Sequence, residues 1–172
     1  MSKVYGLFGC GSRRERLLAP PGVEMKWDGQ LIALDHYGGH KPDVVHDLRA
    51  IPYPFEDETF DEIHLYDVLE HIWDQGDYVA FFKLFGEFWR ILKPEGLVCA
   101  ITPWWESLWA WGDVSHTSVW NQGTLVFLDQ DEYEAQIGKT PMSDFRNLWN
   151  KSFKRLHMER QGDRFVFILQ KA

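Results

Sequence analysis

The chain has 172 residues, which suits one domain with a full hydrophobic core. Its net charge is −8 and its only basic cluster is Arg13, Arg14 and Arg16, which argues against non-specific binding to nucleic acid. No apolar run reaches membrane-spanning length and the N-terminus lacks the apolar core of a signal peptide, so we expect a cytoplasmic protein.

The first predicted strand, Lys3–Phe8, runs into the turn Gly9-Cys10-Gly11-Ser12. Gly9 and Gly11 have no Cβ atom, so the backbone of this turn can approach a ligand closely. Asp35 ends the second predicted strand, Leu31–Asp35, roughly 20 positions further on, where an acid can accept hydrogen bonds from the hydroxyls of a ribose. The pattern indicates a nucleoside-type ligand at the edge of a parallel sheet.

Helices are scarce in the first third of the chain. Residues Arg13–Leu18 allow one or two helical turns before Pro20 and Pro21 stop them, and the loop His36–Pro42 is too short for a crossover helix. The third predicted strand, Asp43–Leu48, places Asp47 as a second acid at the ligand edge. The fourth predicted strand is Phe60–Val68.

The remaining elements follow from apolar spacing. An amphipathic helix is predicted over Asp77–Leu92, and Lys93-Pro94-Glu95-Gly96 ends it before strand five, Leu97–Thr102. Residues 103–150 form an aromatic-rich insert that serves as a lid or wall. Two short helices are predicted in the insert, over Asp131–Ile137 and Ser143–Asn150. The chain closes with a predicted antiparallel hairpin of two strands, Lys151–Arg160 and Arg164–Gln170.

Four stretches, in this order, resemble the class I S-adenosylmethionine-dependent methyltransferases, in particular their small type 11 branch. They are LFGCGS, LIALD, DLRAIPYPFEDETFDEIHLYDVLEH and FWRILKPEGLVCAITP. The resemblance implies S-adenosyl-L-methionine as cofactor and a single domain over residues 1–172. It also implies an α/β, Rossmann-like three-layer sandwich with a seven-stranded, mostly parallel sheet. Strand seven is expected to be antiparallel and to lie between strands five and six. Unlike the family, this chain is expected to have reduced helices on the N-terminal side, because of the prolines and the short loop described above.

The resemblance assigns roles to residues of this chain. The turn Gly9-Cys10-Gly11 is expected beneath the methionine end of the cofactor, and Asp35, with His36 beside it, at the ribose. Asp47 is expected to face the adenine amino group while Leu48 packs on the ring. Tyr66 is expected near the transferable methyl group, both as a cofactor contact and as a candidate catalytic residue.

Histidines receive separate interpretations. His116, in WGDVSH, lies in an Asp-x-x-His pattern that similar small methyltransferases carry after strand five, so it is a candidate base or substrate-orienting residue; a plain hydrogen-bonding role is equally compatible with the sequence. His71 is interpreted as structural or as a minor pocket contact. His36 and His40 share one loop with Asp35 and have no further ligand at metal spacing, so no metal site is expected.

The predicted function is methyl transfer to a small-molecule acceptor, with nucleic acid and membrane as unlikely partners. The alternative is a catalytically silent binding domain, because Leu7 stands where the family usually has an acid and Arg13 where it has a third glycine. The aromatic insert is then an interface, and a homodimer through it is one hypothesis. A nicotinamide-dependent oxidoreductase shares the glycine turn and the ribose acid, but the closing hairpin and the DLRAIPYPF run disfavour it.

Overall fold

A computed structural model describes residues 2–172. The strands are β1 (Val4–Phe8), β2 (Gln30–Asp35), β3 (Val44–Val45), β4 (Phe60–Tyr66), β5 (Leu92–Pro103), β6 (Phe153–Gln161) and β7 (Arg164–Lys171). They form one sheet in the order β3-β2-β1-β4-β5-β7-β6. Strand β7 runs antiparallel to both of its neighbours, β5 and β6, and lies between them. The expected sheet and the place of its antiparallel strand are therefore confirmed.

One long helix packs on the sheet. Helix α1 (Tyr78–Ile91) begins at Asp77, whose carboxylate accepts a hydrogen bond from the backbone N–H of Ala80 over 2.9 Å. Its inner face carries Phe81, Phe85 and Phe88, which join the larger apolar core together with the insert. Three shorter helices belong to the insert: α2 (Leu108–Gly112), α3 (Gln122–Val126) and α4 (Gln130–Gln136).

The opposite face of the sheet has no helix within residues 2–172. Residues 12–29 cover part of it in an irregular conformation, so the helical turns predicted for Arg13–Leu18 are wrong. Side chains satisfy the backbone groups that a helix would use. The buried guanidinium of Arg16 donates to the carbonyls of Leu18, Glu24 and Lys26, and the amides of Leu17 and Leu18 donate to the hydroxyl of Tyr66.

Turn chemistry also shortens β3, which was predicted over Asp43–Leu48 and has only two residues. The carboxylate of Asp43 accepts the backbone N–H of Ala33 over 2.7 Å, which anchors the start of the strand. The carboxylate of Asp47 accepts the backbone N–H of Arg49, and its carbonyl accepts that of Ala50. These bonds turn the chain after His46.

One further predicted boundary and one predicted helix need correction. Strand β5 begins at Leu92 rather than Leu97, because Leu92 pairs with Phe60 across a register shift and Lys93–Gly96 lie within the strand. The helix predicted over Ser143–Asn150 does not form. The hydroxyl of Tyr133 donates to the carbonyl of Ser143 and accepts the N–H of Phe145, and Trp149 is buried against the core.

In residues 2–172, no helix is both long and apolar enough to cross a membrane.

Candidate functional site

The glycine turn follows β1 at the carboxyl edge of the parallel strands. Gly9 (φ 65°) and Gly11 (φ 51°) both have left-handed backbones. A Cβ atom on Gly9 would lie 2.5 Å from a methyl carbon of Val68, so Gly9 lets the turn pack directly against the end of β4. A Cβ atom on Gly11 would meet nothing within 4 Å. The turn is therefore closed toward the sheet at Gly9 and open at Gly11.

Asp35 links the turn to the loop after β2. One carboxylate oxygen accepts the backbone N–H of Gly11 over 2.8 Å, and the other accepts that of Tyr37 over 2.8 Å. A carboxylate has about four lone-pair sites, so two remain for a ligand. The predicted ribose acid thus orders the turn and keeps acceptor capacity.

A first cavity of about 490 Å³ opens beside this acid. It brings together Gly9, Asp35, His36, Asp47 and Leu48, which the sequence predicted as cofactor contacts. One oxygen of Asp47 accepts the N–H of Arg49, and the other has no protein donor within the described chain. The remaining lining residues are His46, Arg49, Asp67, Val68, His71, Ile72 and Ser115.

A second cavity of about 500 Å³ adjoins the first and shares Gly9 and Asp67 with it. Its other predicted site residues are Cys10, Gly11 and Tyr66, and Arg13 and Glu15 bring charge to the same wall. Burial raises the pKa of the Cys10 thiol, so this cysteine is a neutral thiol near pH 7. The two cavities together suit an elongated ligand with a polar group at each end.

Tyr66 lines the second cavity, but protein groups occupy its hydroxyl. The hydroxyl donates to Nδ1 of His64 over 2.7 Å and accepts the N–H groups of Leu17 and Leu18. Burial raises the pKa of this phenol above its usual value. The hydroxyl therefore holds residues 17–18 to the sheet, and we place no proton transfer on it.

Asp67 is a site residue that the sequence analysis did not assign. It follows β4, lines both cavities and has φ 58°, a left-handed backbone that costs a non-glycine residue about 1–3 kcal/mol. Its carboxylate lies 3.4 Å from the guanidinium of Arg164. The available signal was its position, an acid immediately after a buried parallel strand.

His116 does not line either cavity. Its Nε2 lies 4.0 Å from Glu70 and 3.9 Å from Asp113, and its side chain is 8% exposed. Burial raises the pKa of the Glu70 carboxyl to about 8. His71, which packs edge-to-face on His116, does line the first cavity. Glu70 has no local signal in the sequence, because only the fold brings residues 70 and 116 together.

The lining groups fit the cofactor that the resemblance implies. Adenosine presents ribose hydroxyls and a ring edge, for which Asp35 and Asp47 keep free acceptor sites beside the apolar side chain of Leu48. The amino-acid end of S-adenosylmethionine carries a carboxylate and an ammonium group, and the second cavity offers Arg13 and Glu15. Gly11 leaves the intervening wall free of a side chain.

Comparisons with known proteins agree with this geometry. The type 11 family model described as a methyltransferase domain matches residues 21–100, starting after the glycine turn. A comparison with proteins of curated function found no match.

Three similar solved structures illustrate the likeness of fold. The chain is similar to a SAM-dependent methyltransferase from Archaeoglobus fulgidus (15% identity, TM-score 0.60), with 99% of this chain and 86% of that chain covered. It is also similar to the PH0226 protein from Pyrococcus horikoshii (16% identity, TM-score 0.58), with 99% of this chain and 82% of that chain covered. A third similar structure is the N-methyltransferase NodS from Bradyrhizobium japonicum in complex with S-adenosyl-L-homocysteine (10% identity, TM-score 0.55). The comparison covers 99% of this chain and 78% of that chain.

The family model covers β2, β3, β4 and most of β5. The likeness to the solved structures is one of fold, and it includes the remaining strands. S-adenosyl-L-methionine, expected from the sequence, is the cofactor of this family. By its fold, and by the match over residues 21–100, the chain is similar to the class I S-adenosylmethionine-dependent methyltransferases of the type 11 branch.

Proposed function

We propose that this domain transfers a methyl group from S-adenosylmethionine to a small-molecule acceptor. One observation carries the proposal: two adjoining cavities meet at Gly9 and Asp67, where the glycine turn and the ends of β2 and β4 converge. The chain of residues 1–172 acts as one domain in this proposal, and its place is the cytoplasm. Bound S-adenosylmethionine supplies the methyl group, activated on a sulfonium.

The chain's own residues bind and orient. Asp35 accepts hydrogen bonds from the ribose, and Asp47 and Leu48 hold the adenine. The glycine turn with Cys10 supports the methionine end, and His36 lies at the cavity rim. Holding an acceptor and a methyl group in a near-attack arrangement supplies about 7–11 kcal/mol of the barrier, so positioning is the main task of such a site.

The acceptor side of the first cavity is formed by His71, Ile72 and Ser115. This wall joins the segment after β4 to the insert, and among residues 2–172 the only lysine or arginine that lines the cavity is Arg49. Together with the net charge of −8, it favours a small acceptor over a nucleic acid. The catalytic roles predicted for Tyr66 and His116 remain predictions. The hydroxyl of Tyr66 is hydrogen-bonded to His64, and His116 is buried beside Glu70, outside the lining of the cavity.

The test is a calorimetric titration with S-adenosylmethionine and S-adenosylhomocysteine, on wild type and on Asp35→Ala. Loss of the ribose contacts is expected to weaken binding about 10- to 100-fold, because hydrogen bonds to charged groups contribute about 1.5–3 kcal/mol. Asp43→Ala is the matched control, since Asp43 also accepts a backbone N–H at this edge but lines neither cavity. A folded wild type that binds neither ligand would contradict the proposal.

A second candidate function, a silent binding domain, keeps support from one observation. The insert exposes large apolar side chains, among them Trp109 (60% exposed) and Trp111 (71%). We propose that this surface pairs two copies of the chain in a homodimer. Formation of S-adenosylhomocysteine in the presence of a panel of small acceptors separates the two functions, because a silent domain binds the cofactor without consuming it.

A further inference from the structure

A buried carboxyl group beside the first cavity has no protein partner within residues 2–172. Glu70 is 1% exposed, and neither of its side-chain oxygens has a hydrogen-bond partner among residues 2–172. Leaving a buried acceptor without a partner costs about 1–3 kcal/mol or more when it is charged, so such a group calls for a ligand. Nδ1 of His116, close by, is also buried without a partner in the described chain.

Two imidazoles share the space with this carboxylate. Glu70, His71 and His116 each offer one ligand atom, and these three atoms lie within 4.8 Å of one another. Oε1 of Glu70 is 4.0 Å from Nε2 of His116. Zinc–nitrogen and zinc–oxygen bonds are about 2.0–2.2 Å long, so binding would draw the three atoms together by small side-chain rotations.

The surrounding hydrogen bonds hold the cluster in place. Nδ1 of His71 lies 3.1 Å from the carbonyl of Ser115, and donation of its N–H there leaves the lone pair on Nε2 for a metal. The carbonyl of Glu70 accepts the amides of Thr117 and Ser118. These bonds tie the segment after β4 to the insert, so both halves of the cluster are positioned before any ion arrives.

A comparison within the same chain shows what a satisfied cluster looks like. Glu62, His64 and Cys99 also lie close together, but Arg16 and His64 both donate to Glu62, and Tyr66 donates to His64. That cluster is complete without an ion. The carboxylate of Glu70 lacks such donors.

We propose that Glu70, His71 and His116 bind one divalent transition-metal ion, Zn²⁺ by the chemistry of the set. Two imidazoles and one carboxylate form a ligand set that zinc takes in catalytic sites, where a further position stays open for water or substrate. His71 lines the first cavity, so the ion lies in the wall that faces the acceptor. The metal site stands on its own geometry and does not require that the domain be an active methyltransferase.

The experiment is a calorimetric titration of chelator-treated, metal-free protein with ZnCl₂, with bound zinc counted by elemental analysis. Wild type is expected to bind one ion per chain and to unfold at a higher temperature with zinc present. His71→Gln retains an N–H donor for Ser115 but loses the imidazole, and Glu70→Gln loses the carboxylate. Each is expected to weaken binding by more than about 100-fold, since even orienting partners outside a ligand set cost about 10- to 100-fold.

Two controls locate the ion. His40→Gln removes an exposed histidine from the other histidine-rich loop, and Cys99→Ala removes the thiol of the satisfied cluster; both are expected to bind zinc like wild type. Circular dichroism of the metal-free variants checks folding, and the partly exposed His71 provides a readout if Glu70→Gln does not fold. The proposal is overturned if metal-free wild type binds no zinc, if His71→Gln binds it unchanged, or if either control abolishes binding.

Discussion

Gly9 and Gly11 share a left-handed backbone but differ in what surrounds them. The space at Gly9 is filled by Val68, whereas Gly11 faces an opening. A side chain at Gly11 therefore meets only backbone strain, and one at Gly9 meets strain and a packed neighbour. Gly9 is thus required both by its backbone conformation and by the contact with Val68, whereas Gly11 is required by its backbone conformation alone.

We expect Gly11→Ala to lower the free energy of unfolding by about 1–2 kcal/mol, the cost of a left-handed alanine. Gly9→Ala is expected to cost about 1–3 kcal/mol more, because its Cβ overlaps a methyl carbon of Val68. Urea unfolding measures both. The double variant Gly9→Ala/Val68→Ala should recover part of the loss, and equal costs for the two single variants would show that Val68 plays no part.

His64 makes stability depend on pH. It is fully buried, with Nε2 donating to Glu62 over 2.9 Å and Nδ1 accepting from Tyr66, an arrangement of the neutral ring. Burial lowers its pKa below the usual 6.5; Arg16 lowers it further, and Glu62 acts in the opposite direction. Below pH 6.5 the unfolded chain binds a proton that the folded chain does not. The contribution of His64 to the free energy of unfolding is therefore fully present above pH 6.5 and is lost as the pH falls below it.

We expect the free energy of unfolding of wild type to fall below pH 6.5 by up to about 1.4 kcal/mol per pH unit from this histidine alone. His64→Gln can still bond to Glu62 but cannot titrate, so its acid-side slope should be shallower by that amount. Urea titrations at half-unit pH steps measure the two slopes. Parallel curves for wild type and variant would contradict the assignment.

At the scale of elements, one buried arginine takes the place of a helix. The helix that usually follows the first strand of a doubly wound fold is absent from residues 2–172. Residues 12–29 are held instead by Arg16, whose guanidinium lies 2.6 Å from the carboxylate of Glu62 on β4. It also donates to three backbone carbonyls of its own segment. A charged side chain thus organises a stretch in which two consecutive prolines preclude a long helix.

Arg16→Met is expected to destabilise the fold by about 3–5 kcal/mol, because it leaves the buried charge of Glu62 without its partner. Chemical denaturation followed by tryptophan fluorescence provides the measurement. The control is Lys26→Met in the same segment, whose ion pair with Glu24 is exposed and should contribute less than about 1 kcal/mol. A loss for Arg16→Met no larger than for the control would show that the segment is held by other contacts.

Across the whole molecule, aromatic residues divide into two groups. Trp73, Trp120 and Trp149 are buried with the phenylalanines of α1. The tryptophans of α2 are exposed instead. Contiguous exposed apolar surface of this kind marks interaction sites in soluble proteins.

The proposed homodimer predicts a concentration-dependent rise in the sedimentation coefficient at micromolar protein. Trp109→Ser and Trp111→Ser should shift the population toward monomer, because they remove apolar area from the exposed surface. Met25→Ser, which removes an exposed apolar side chain (55% exposed) outside the insert, is the control. Monomer alone at all concentrations of wild type would rule the dimer out.

Local patterns in the sequence determined the strands around the site, the glycine turn, Asp35 and the family, because strand alternation and turn residues act between near neighbours. The tertiary structure decided what depends on distant partners. The irregular path of residues 12–29 follows from Arg16 reaching β4, and the short β3 from side chains that take its backbone bonds. The meeting of Glu70, His71 and His116 follows from the insert folding back across β4, since residues 45 positions apart have no local signal to bring them together.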